Sequence, residues 1–458
     1  MPVLLNPPSS AASRLPQEIL VVIFRELSLT MYEWAFSYAS EYPTFSHNKN
    51  IVTEPDPSQS ALAYAILTCR TWRSIATDVL YARPFLISFQ RIRLFRRTLV
   101  RSPALTSLIR QVYVLDQGPL RPPSQHLPLN WKTVQRAKRS ARAELLATLA
   151  ECRSVECLYL TNRDRESDSI LPLDPIFVQQ SAIGTRLRSL SLYGTALPFL
   201  PNEHDFLPDA ISLPVLETLC FREVHFKPDY NLPALPKLHT LQIAQSTRLK
   251  HVSPLQIDIQ RFPSLRSLGL YENYFHCTVL PECLRQLRRL HVFGYTEWSS
   301  FLTWNPQSNM TSMRHLVFGL HHTNLDALSA IELPKTLRAV TFLLPSQAMP
   351  PESPIANTKI KSEVLEDIGS PLKAMTEGCE LKSIEVIRRE FSSGETFDCD
   401  VALEKARVIC EKRGIPFRVE GETDKWISEQ LAYGHNCVAR NWGTLRPRKS
   451  MALASSLI

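Results

Sequence analysis

The sequence has 458 residues, of which 44% are hydrophobic and 21% charged, a composition typical of a globular chain with one large domain or a few small ones. It contains 13 glycines but 34 prolines, which argues against glycine-rich phosphate-binding loops. The formal net charge of +8 is small for this length, so we expect no nucleic-acid partner.

The ten cysteines lie at irregular intervals, and none forms the C-x-x-C spacing of a zinc or redox site. We interpret them as buried, reduced thiols. The first residues lack the basic start and apolar stretch of a signal peptide. The longest apolar runs, ILVVIF and ALAYAIL, are shorter than the roughly 20 residues of a membrane helix. We therefore expect an intracellular protein, in the cytoplasm or nucleus, without membrane contact.

The first predicted element is an amphipathic helix within residues 14–27, RLPQEILVVIFREL. Pro16 suits its first turn, because no amide donor is lost there. Burying a large apolar side chain is worth about 1.5–3 kcal/mol, so the apolar stripe is expected to face another surface. The stripe has helical spacing and consists of Ile19, Leu20, Ile23, Phe24 and Leu27.

A second helical segment is predicted over residues 61–80, ALAYAILTCRTWRSIATDVL. Its apolar positions, which include Leu62, Trp72 and Ile75, also follow helical spacing. Two or three short helices make a very small core. We therefore expect part of the first stripe to be covered by this segment and the rest to need a partner.

Together the two segments resemble an F-box, since L-P-x-E-I-L-x-x-I-F-x-x-L is followed by C-R-x-W-R-x-I-A. In that family the helical hairpin docks on the Skp adaptor of cullin-RING ubiquitin ligases. The resemblance implies an F-box over 13–85 whose adaptor contacts are Leu15, Pro16, Ile19, Leu20, Ile23, Phe24, Leu27 and Trp72. Residues 28–60 depart from the pattern as a long insert, interpreted mainly as a surface loop. The alternative is a generic amphipathic helix at a domain start.

A second pattern, apolar-x-x-apolar-x-apolar, recurs along the rest of the chain. Four central copies start at 216, 238, 265 and 287, which gives steps of 22, 27 and 22 residues. Such steps match the 20–29-residue period of leucine-rich repeats, in which neighbouring units must stack to bury their apolar faces. The copies are IRQVYV (109–114), VECLYL (155–160), LRSLSL (187–192), LETLCF (216–221), LHTLQI (238–243), LRSLGL (265–270), LRRLHV (287–292), MRHLVF (313–318), LRAVTF (337–342) and LKSIEV (381–386).

The pattern resembles the irregular leucine-rich repeats of F-box proteins. The expected fold class is therefore α/β: the short N-terminal helical F-box is followed by a solenoid with a parallel sheet over 105–344. A linker at 345–358 then leads to a C-terminal α/β cap at 359–434, with helices at 401–414 and 422–434 and a strand at 415–420. Residues 435–458 are interpreted as a loose basic tail. An unrelated α/β domain with leucine-rich strands is the alternative.

Residues between the buried strand positions are expected to line a concave face of the solenoid. Tyrosine and arginine are frequent interface anchors, so this face is a candidate substrate site, and a merely solvated face is the alternative. The residues are Tyr193, Arg222, Gln242, Tyr271, His291, Phe293 and His315. Two arginine-rich clusters, within 91–101 and 132–142, are interpreted as solvated faces or as sites for an acidic or phosphorylated partner.

The sequence contains none of the common motifs for a nucleophile elbow, a phosphate loop, a dinucleotide site or a zinc protease. No enzyme activity, cofactor or metal is therefore expected. The F-box resemblance implies the substrate-recognition subunit of an SCF-type ubiquitin ligase, with a protein substrate that the sequence does not identify. The alternatives are a non-ligase leucine-rich-repeat scaffold with a degenerate F-box, and an enzyme of unknown type.

Overall fold

The structure, a computed structural model, is built around one open sheet of 12 strands, all paired in parallel. The prediction of an α/β fold with a parallel sheet is therefore confirmed. The residues that the structure describes are 15–24, 57–86, 89–116, 140, 143–162, 183–193, 213–222, 224–226, 232, 234–244, 247–248, 255–271, 277–293, 311–319, 334–343, 381–388 and 400–421.

The strands of the main sheet follow one another in chain order from one edge to the other, an arrangement compatible with a solenoid. Two pairs of short strands, β6 with β8 and β9 with β11, form separate parallel sheets. The strands are β1 Phe85–Leu86, β2 Gln111–Asp116, β3 Cys157–Asn162, β4 Ser189–Tyr193, β5 Thr218–Arg222, β6 His225–Phe226, β7 Thr240–Ala244, β8 Thr247–Arg248, β9 Leu255–Ile257, β10 Ser267–Tyr271, β11 Cys277–Val279, β12 Arg289–Phe293, β13 His315–Gly319, β14 Ala339–Leu343, β15 Ser383–Arg388 and β16 Phe417–Gly421.

Each of the ten recurring sequence copies overlaps one strand of the main sheet. Every apolar position of these copies whose side chain the structure describes is buried. In the copy at 265–270, Leu265 is buried before the strand, and Leu268 and Leu270 are buried within it. Alternate strand residues point to opposite faces, so Leu268 and Leu270 face the same core. In register with Leu268 across the sheet lie Leu158, Leu190, Leu219, Leu241, Leu290, Leu316, Val340 and Ile384.

Three of the described α-helices precede β1, and the other four lie between strands of the main sheet. The helices are α1 over 17–24, α2 Pro57–Thr68, α3 Arg70–Ala82, α4 Phe89–Arg101, and further helices over 143–151, Pro281–Gln286 and Asp400–Glu411, with a 3-10 helix at Pro103–Ser107. The helix and strand predicted at 401–414 and 415–420 correspond to Asp400–Glu411 and β16. No described helix has the length and apolar character required to cross a bilayer.

The helical segment predicted over 61–80 is broken in the structure at Cys69, whose backbone is extended with φ −158° and ψ 168°. The break has a packing reason. Leu62 of α2 and Ile75 of α3 belong to one buried cluster, whereas a straight helix would hold them about 20 Å apart. The prediction of a single helix was therefore wrong.

Helix α2 begins at Pro57, so the last residues of the segment interpreted as an inserted loop, 57–60, are helical. The rest of that insert, the linker at 345–358, the helix predicted at 422–434 and the tail at 435–458 lie outside the described residues. In the region predicted as a cap, β15 pairs with β14 and β16 pairs with β15. These strands therefore continue the main sheet.

The N-terminal helices lead directly into the edge of the sheet. The backbone amide of Arg110 donates a hydrogen bond of 3.0 Å to the carbonyl of Ala82, the last residue of α3. Strand β1 then pairs in parallel with β2. The ring of Tyr81 in α3 also stacks on Phe95 of α4, with centroids 6.1 Å apart. Helix α3 is thus attached to the edge of the sheet by a backbone contact and to α4 by a side-chain contact.

Candidate functional site

Helices α1, α2 and α3 form a small hydrophobic cluster that is separate from the core of the main sheet. Phe24 of α1 packs edge-on against the half-buried Trp72 of α3, with ring centroids 5.5 Å apart and planes at 76°. This contact joins the two sequence segments that carry the F-box resemblance. The buried residues of the cluster are Leu20, Phe24, Leu62, Ala65, Ile75 and Ala76.

A second apolar stripe of α1 remains on the surface. Ile19 is 46% exposed and Ile23 is 42% exposed, whereas Leu20 and Phe24 are only 1% and 2% exposed. Residues at steps of three and four share one helix face, so the exposed set forms a continuous ridge. We call it the α1 ridge, and it consists of Ile19, Val22 and Ile23 of α1 together with Leu15, which is exposed just before the helix. Tyr64 and Leu67 of α2 are also exposed.

The eight residues predicted to contact an adaptor fall into different environments. Leu15, Pro16, Ile19 and Ile23 are exposed and available to a partner. The buried side chains of Leu20 and Phe24 hold the helices together, and Trp72 is half-buried against them. In this structure those three support the ridge instead of forming it, because their apolar surface already packs within the chain. Leu27 lies outside the described residues.

Sequence reasoning missed Val22 as a member of the ridge. The signal was present, because Val22 follows Ile19 by three residues and therefore shares its helix face. The ridge is thus more continuous than the F-box pattern alone indicated.

The residues predicted to line the substrate face lie in alternate register rows of the main sheet. Gln242 and His291 both pair with Gly269 of β10, and His315 pairs with Arg289 two rows earlier. Two rows after Gly269, Tyr193 pairs with Arg222 and Tyr271 with Phe293. The side chains of these last four residues lie outside the part of the chain that the structure describes, so their role remains a prediction.

His291 and His315 form a polar but uncharged centre on this face. Their rings meet at 5.7 Å and 69°, and His315 Nε2 lies 3.1 Å from Thr341 Oγ1. Burial, together with the nearby charges of His315 and Arg289, lowers the pKa of His291 to about 3. Burial and Arg289 lower the pKa of His315 to about 4. Both rings are therefore neutral near pH 7.

The burial of His291 limits what it can contribute to binding. Its side chain is 8% exposed, and Thr341 in the same row is 4% exposed. A partner could reach the ring of His291 only if neighbouring groups moved. As a direct contact residue it is therefore poorly placed, whereas Gln242 and His315 keep part of their surface.

The two arginine-rich clusters are only partly described. In the first, Arg96 of α4 pairs with Glu144 at 3.3 Å, while Arg93, Arg97 and Arg101 are exposed. This arrangement fits a solvated helix face with one ion pair. The second cluster, within 132–142, falls mostly outside the described residues, and its arginines and lysine are not among them.

The described residues contain no evident metal site, and two of their buried cysteines have raised thiol pKa values. Within them, no group of three or more histidine, cysteine or acidic side chains is placed to hold a metal ion. Burial raises the pKa of the Cys152 thiol to about 12, and that of Cys410 to about 11. These thiols are therefore protonated and poor nucleophiles near neutral pH.

A scan against models of known protein families gives no match to this chain, and a search of curated protein sequences finds no significant relative. No family is therefore assigned, and the F-box and leucine-rich-repeat resemblances remain expectations that rest on sequence patterns.

Proposed function

We propose that this chain is a substrate receptor of an SCF-type ubiquitin ligase. The helices α1 to α3 dock on the Skp adaptor of a cullin-RING ligase as an F-box. The parallel sheet is a leucine-rich-repeat-like solenoid that holds a protein substrate. The receptor makes and breaks no covalent bond, and it acts by raising the local concentration of substrate near the conjugating enzyme.

The observation that carries the proposal is the exposed α1 ridge. A helix of this small cluster buries one apolar stripe, with Leu20 and Phe24, and leaves a second stripe with Ile19 and Ile23 in water. Covering an exposed apolar side chain contributes about 25 cal/mol per Å² of area removed from water. Contiguous exposed apolar surface of this kind is typical of protein interaction sites.

The spacing of the strands supports the solenoid part of the proposal. Strands β5, β7, β10 and β12 start at 218, 240, 267 and 289, and are therefore 22, 27 and 22 residues apart. These intervals fall within the 20–29-residue period of leucine-rich repeats. The strands are also direct neighbours in the sheet, as stacked repeats would be.

Co-purification with a Skp-type adaptor tests the proposal. The charged double variant Ile19→Asp and Ile23→Asp should lose adaptor capture, because it places carboxylates in the ridge without touching the buried cluster. The matched control is Leu94→Asp with Val100→Asp, which changes two exposed apolar residues of α4. The control should capture the adaptor like the parent chain.

Equal capture by the ridge variant and the parent would contradict the proposal. In that case the stand-alone scaffold with a degenerate F-box becomes the better interpretation. Circular dichroism of both variants verifies that the helices remain folded, so that a lost interaction can be assigned to the ridge.

A further inference from the structure

The residue immediately before each of ten consecutive strands of the main sheet, β2 to β15, stands in one column across that sheet. In the first nine of these residues, the carbonyl accepts two hydrogen bonds, one from the amide of the next residue in the column and one from the amide that follows it. The Arg288 carbonyl, for example, accepts from the amides of Arg314 at 2.9 Å and His315 at 3.1 Å. We call this set the edge column, and it consists of Arg110, Glu156, Arg188, Glu217, His239, Arg266, Arg288, Arg314, Arg338 and Lys382.

The first half of the edge column neutralises its own charge. Arg110 pairs with Glu156 at 3.6 Å, and Arg188 pairs with Glu217 at 3.2 Å. Arginine and glutamate alternate along this half, so each cation has an anion in the next position. The backbone hydrogen bonds do not require a cation at a column position, because glutamate and arginine make the same ones there.

The second half is entirely basic. After His239 the column continues as the basic row, which consists of Arg266, Arg288, Arg314, Arg338 and Lys382. Neighbouring strands lie about 4.8 Å apart, so the row extends for about 19 Å. Arg266 is half-buried and donates a 3.0 Å hydrogen bond to Gln286 Oε1.

The other four cations of the basic row are exposed, and none of them pairs with a carboxylate in the described part of the chain. Five like charges at this spacing repel one another, and an anionic partner would relieve that repulsion. Because equivalent positions of the first half carry paired glutamates, the unpaired charge of the second half is not a requirement of the fold.

We propose that the basic row binds an acidic segment of a partner protein, rich in aspartate and glutamate. A guanidinium group can accept a carboxylate on two parallel hydrogen bonds, and three of the exposed cations are arginines. Acidic residues on one face of a helix recur about every 5.4 Å, close to the spacing between strands. A helical acidic segment laid across the strands would therefore place a carboxylate near each cation.

The neighbouring residues favour a peptide over a nucleic acid. The first residues of the same strands lie beside the basic row and contain no phenylalanine, tyrosine or tryptophan. They are Ser267, Arg289, His315, Ala339 and Ser383. Proteins that bind single-stranded nucleic acid combine basic grooves with aromatic rings that stack on the bases.

This inference rests on the proposed function, because it names the class of protein substrate that the sheet would bind. Peptide binding itself needs no adaptor, so the two can fail separately. Loss of adaptor capture with intact peptide binding would affect the ligase proposal only. Loss of peptide binding with intact capture would affect only the substrate class.

Fluorescence anisotropy with the full-length chain tests the inference. The probe is a labelled oligo-glutamate of about 14 residues, which spans the basic row even when helical. The variant reverses three charges, with Arg288→Glu, Arg314→Glu and Arg338→Glu. The matched control makes the same change in net charge at exposed cations outside the row and outside the arginine-rich clusters, with Arg153→Glu, Lys405→Glu and Lys412→Glu.

The affinity of the reversed variant for the probe should fall by roughly tenfold or more, because three ion pairs become repulsions. The control should stay within about twofold, and binding should weaken with added salt. If the reversed variant no longer unfolds cooperatively, a neutralised variant with Arg288→Gln, Arg314→Gln and Arg338→Gln replaces it. The neutralised variant should also bind the probe more weakly than the parent.

Three results would overturn the inference. The first is equal binding by parent and row variants, and the second is an equal loss in the control. The third is tighter binding of an oligo-thymidine strand than of the oligo-glutamate, with that binding abolished in the row variant. The last result would assign the row to nucleic acid.

Discussion

The ring of Phe24 meets the ring of Trp72 edge to face, although the two residues belong to separate helices, α1 and α3. Aromatic pairs of this geometry contribute about 0.5–1.5 kcal/mol beyond the area they bury. The contact closes the small cluster from one side, and it keeps Ile19 and Ile23 of α1 turned away from that cluster. Together with the burial of Leu20, this pair fixes which face of α1 is exposed.

The first prediction concerns this contact. Phe24→Ala should destabilise the helical cluster by about 3–5 kcal/mol, because it removes a fully buried ring and leaves a cavity. Hydrogen exchange in α2 and α3 should accelerate while exchange in β10 and β12 stays slow. Val22→Ala is the control, since Val22 is 55% exposed. Unchanged exchange in α2 and α3 after Phe24→Ala would contradict the packing described here.

The second prediction tests the alternation along a strand. Leu268→Ala should lower the free energy of unfolding by about 2–5 kcal/mol, because Leu268 is fully buried in the main core. Its neighbour Ser267 lies on the opposite face, and Ser267→Ala should change stability by no more than about 0.5 kcal/mol. Urea denaturation measures both. Similar losses for the two variants would mean that the strand register is different.

The third prediction concerns pH. The pKa values of His291 and His315 are lowered to about 3 and about 4 in the fold, beneath the ordinary value of 6.5. Between pH 4 and pH 6.5 the unfolded chain binds protons at these residues and the native chain does not. Stability should therefore fall as the pH decreases through this window. Each such histidine contributes a slope of about 1.4 kcal/mol per pH unit.

The variant His291→Asn should remove one such contribution and flatten the dependence of unfolding free energy on pH. Gln242→Ala changes a position of the same register row, on the other side of Gly269, but removes no titrating group, so its pH profile should run parallel to that of the parent. Urea denaturation at a series of pH values gives both slopes. A His291→Asn profile parallel to the parent would show that the ring is already protonated in the fold.

The fourth prediction concerns thiol reactivity. Burial raises the pKa of Cys152 to about 12 and that of Cys283 to about 11, so both should resist alkylation in the native protein near neutral pH. Cys69 is half-buried at the break between α2 and α3 and should react faster. Mass spectrometry after brief iodoacetamide treatment, with and without urea, measures this order. Native labelling of Cys152 at the rate of Cys69 would contradict its burial.

The sheet could be predicted well from the sequence because its signal is local. In LRSLGL, the apolar residues Leu265, Leu268 and Leu270 are the ones that stacking must bury, and every copy of the pattern yields a strand. The last five copies also carry a signal that sequence reasoning missed. In each of them a cation directly follows the first apolar residue, and these cations form the basic row. Strand β1 could not be found, because two residues are too few to show a period.

The candidate docking surface could be predicted only in part. Helical spacing identified an apolar stripe on α1, but periodicity does not tell which apolar residues another helix will cover. The division between buried Leu20 and Phe24 and exposed Ile19 and Ile23 depends on where α2 and α3 pack. The break at Cys69 was missed for the same reason, because only the tertiary cluster requires it.

Only Arg83 and Pro84 connect helix α3 to β1. The N-terminal helices are therefore held directly against the first edge of the sheet. From β1, the strands that follow Arg266 and Arg338 are the sixth and ninth neighbours, at about 29 and 43 Å if measured along the sheet. In the proposed complex, the distance between the bound substrate and the N-terminal helices is therefore set by the number of strands between them. Inserting or deleting one repeat would shift the bound protein by a fixed increment of about 5 Å relative to the ligase.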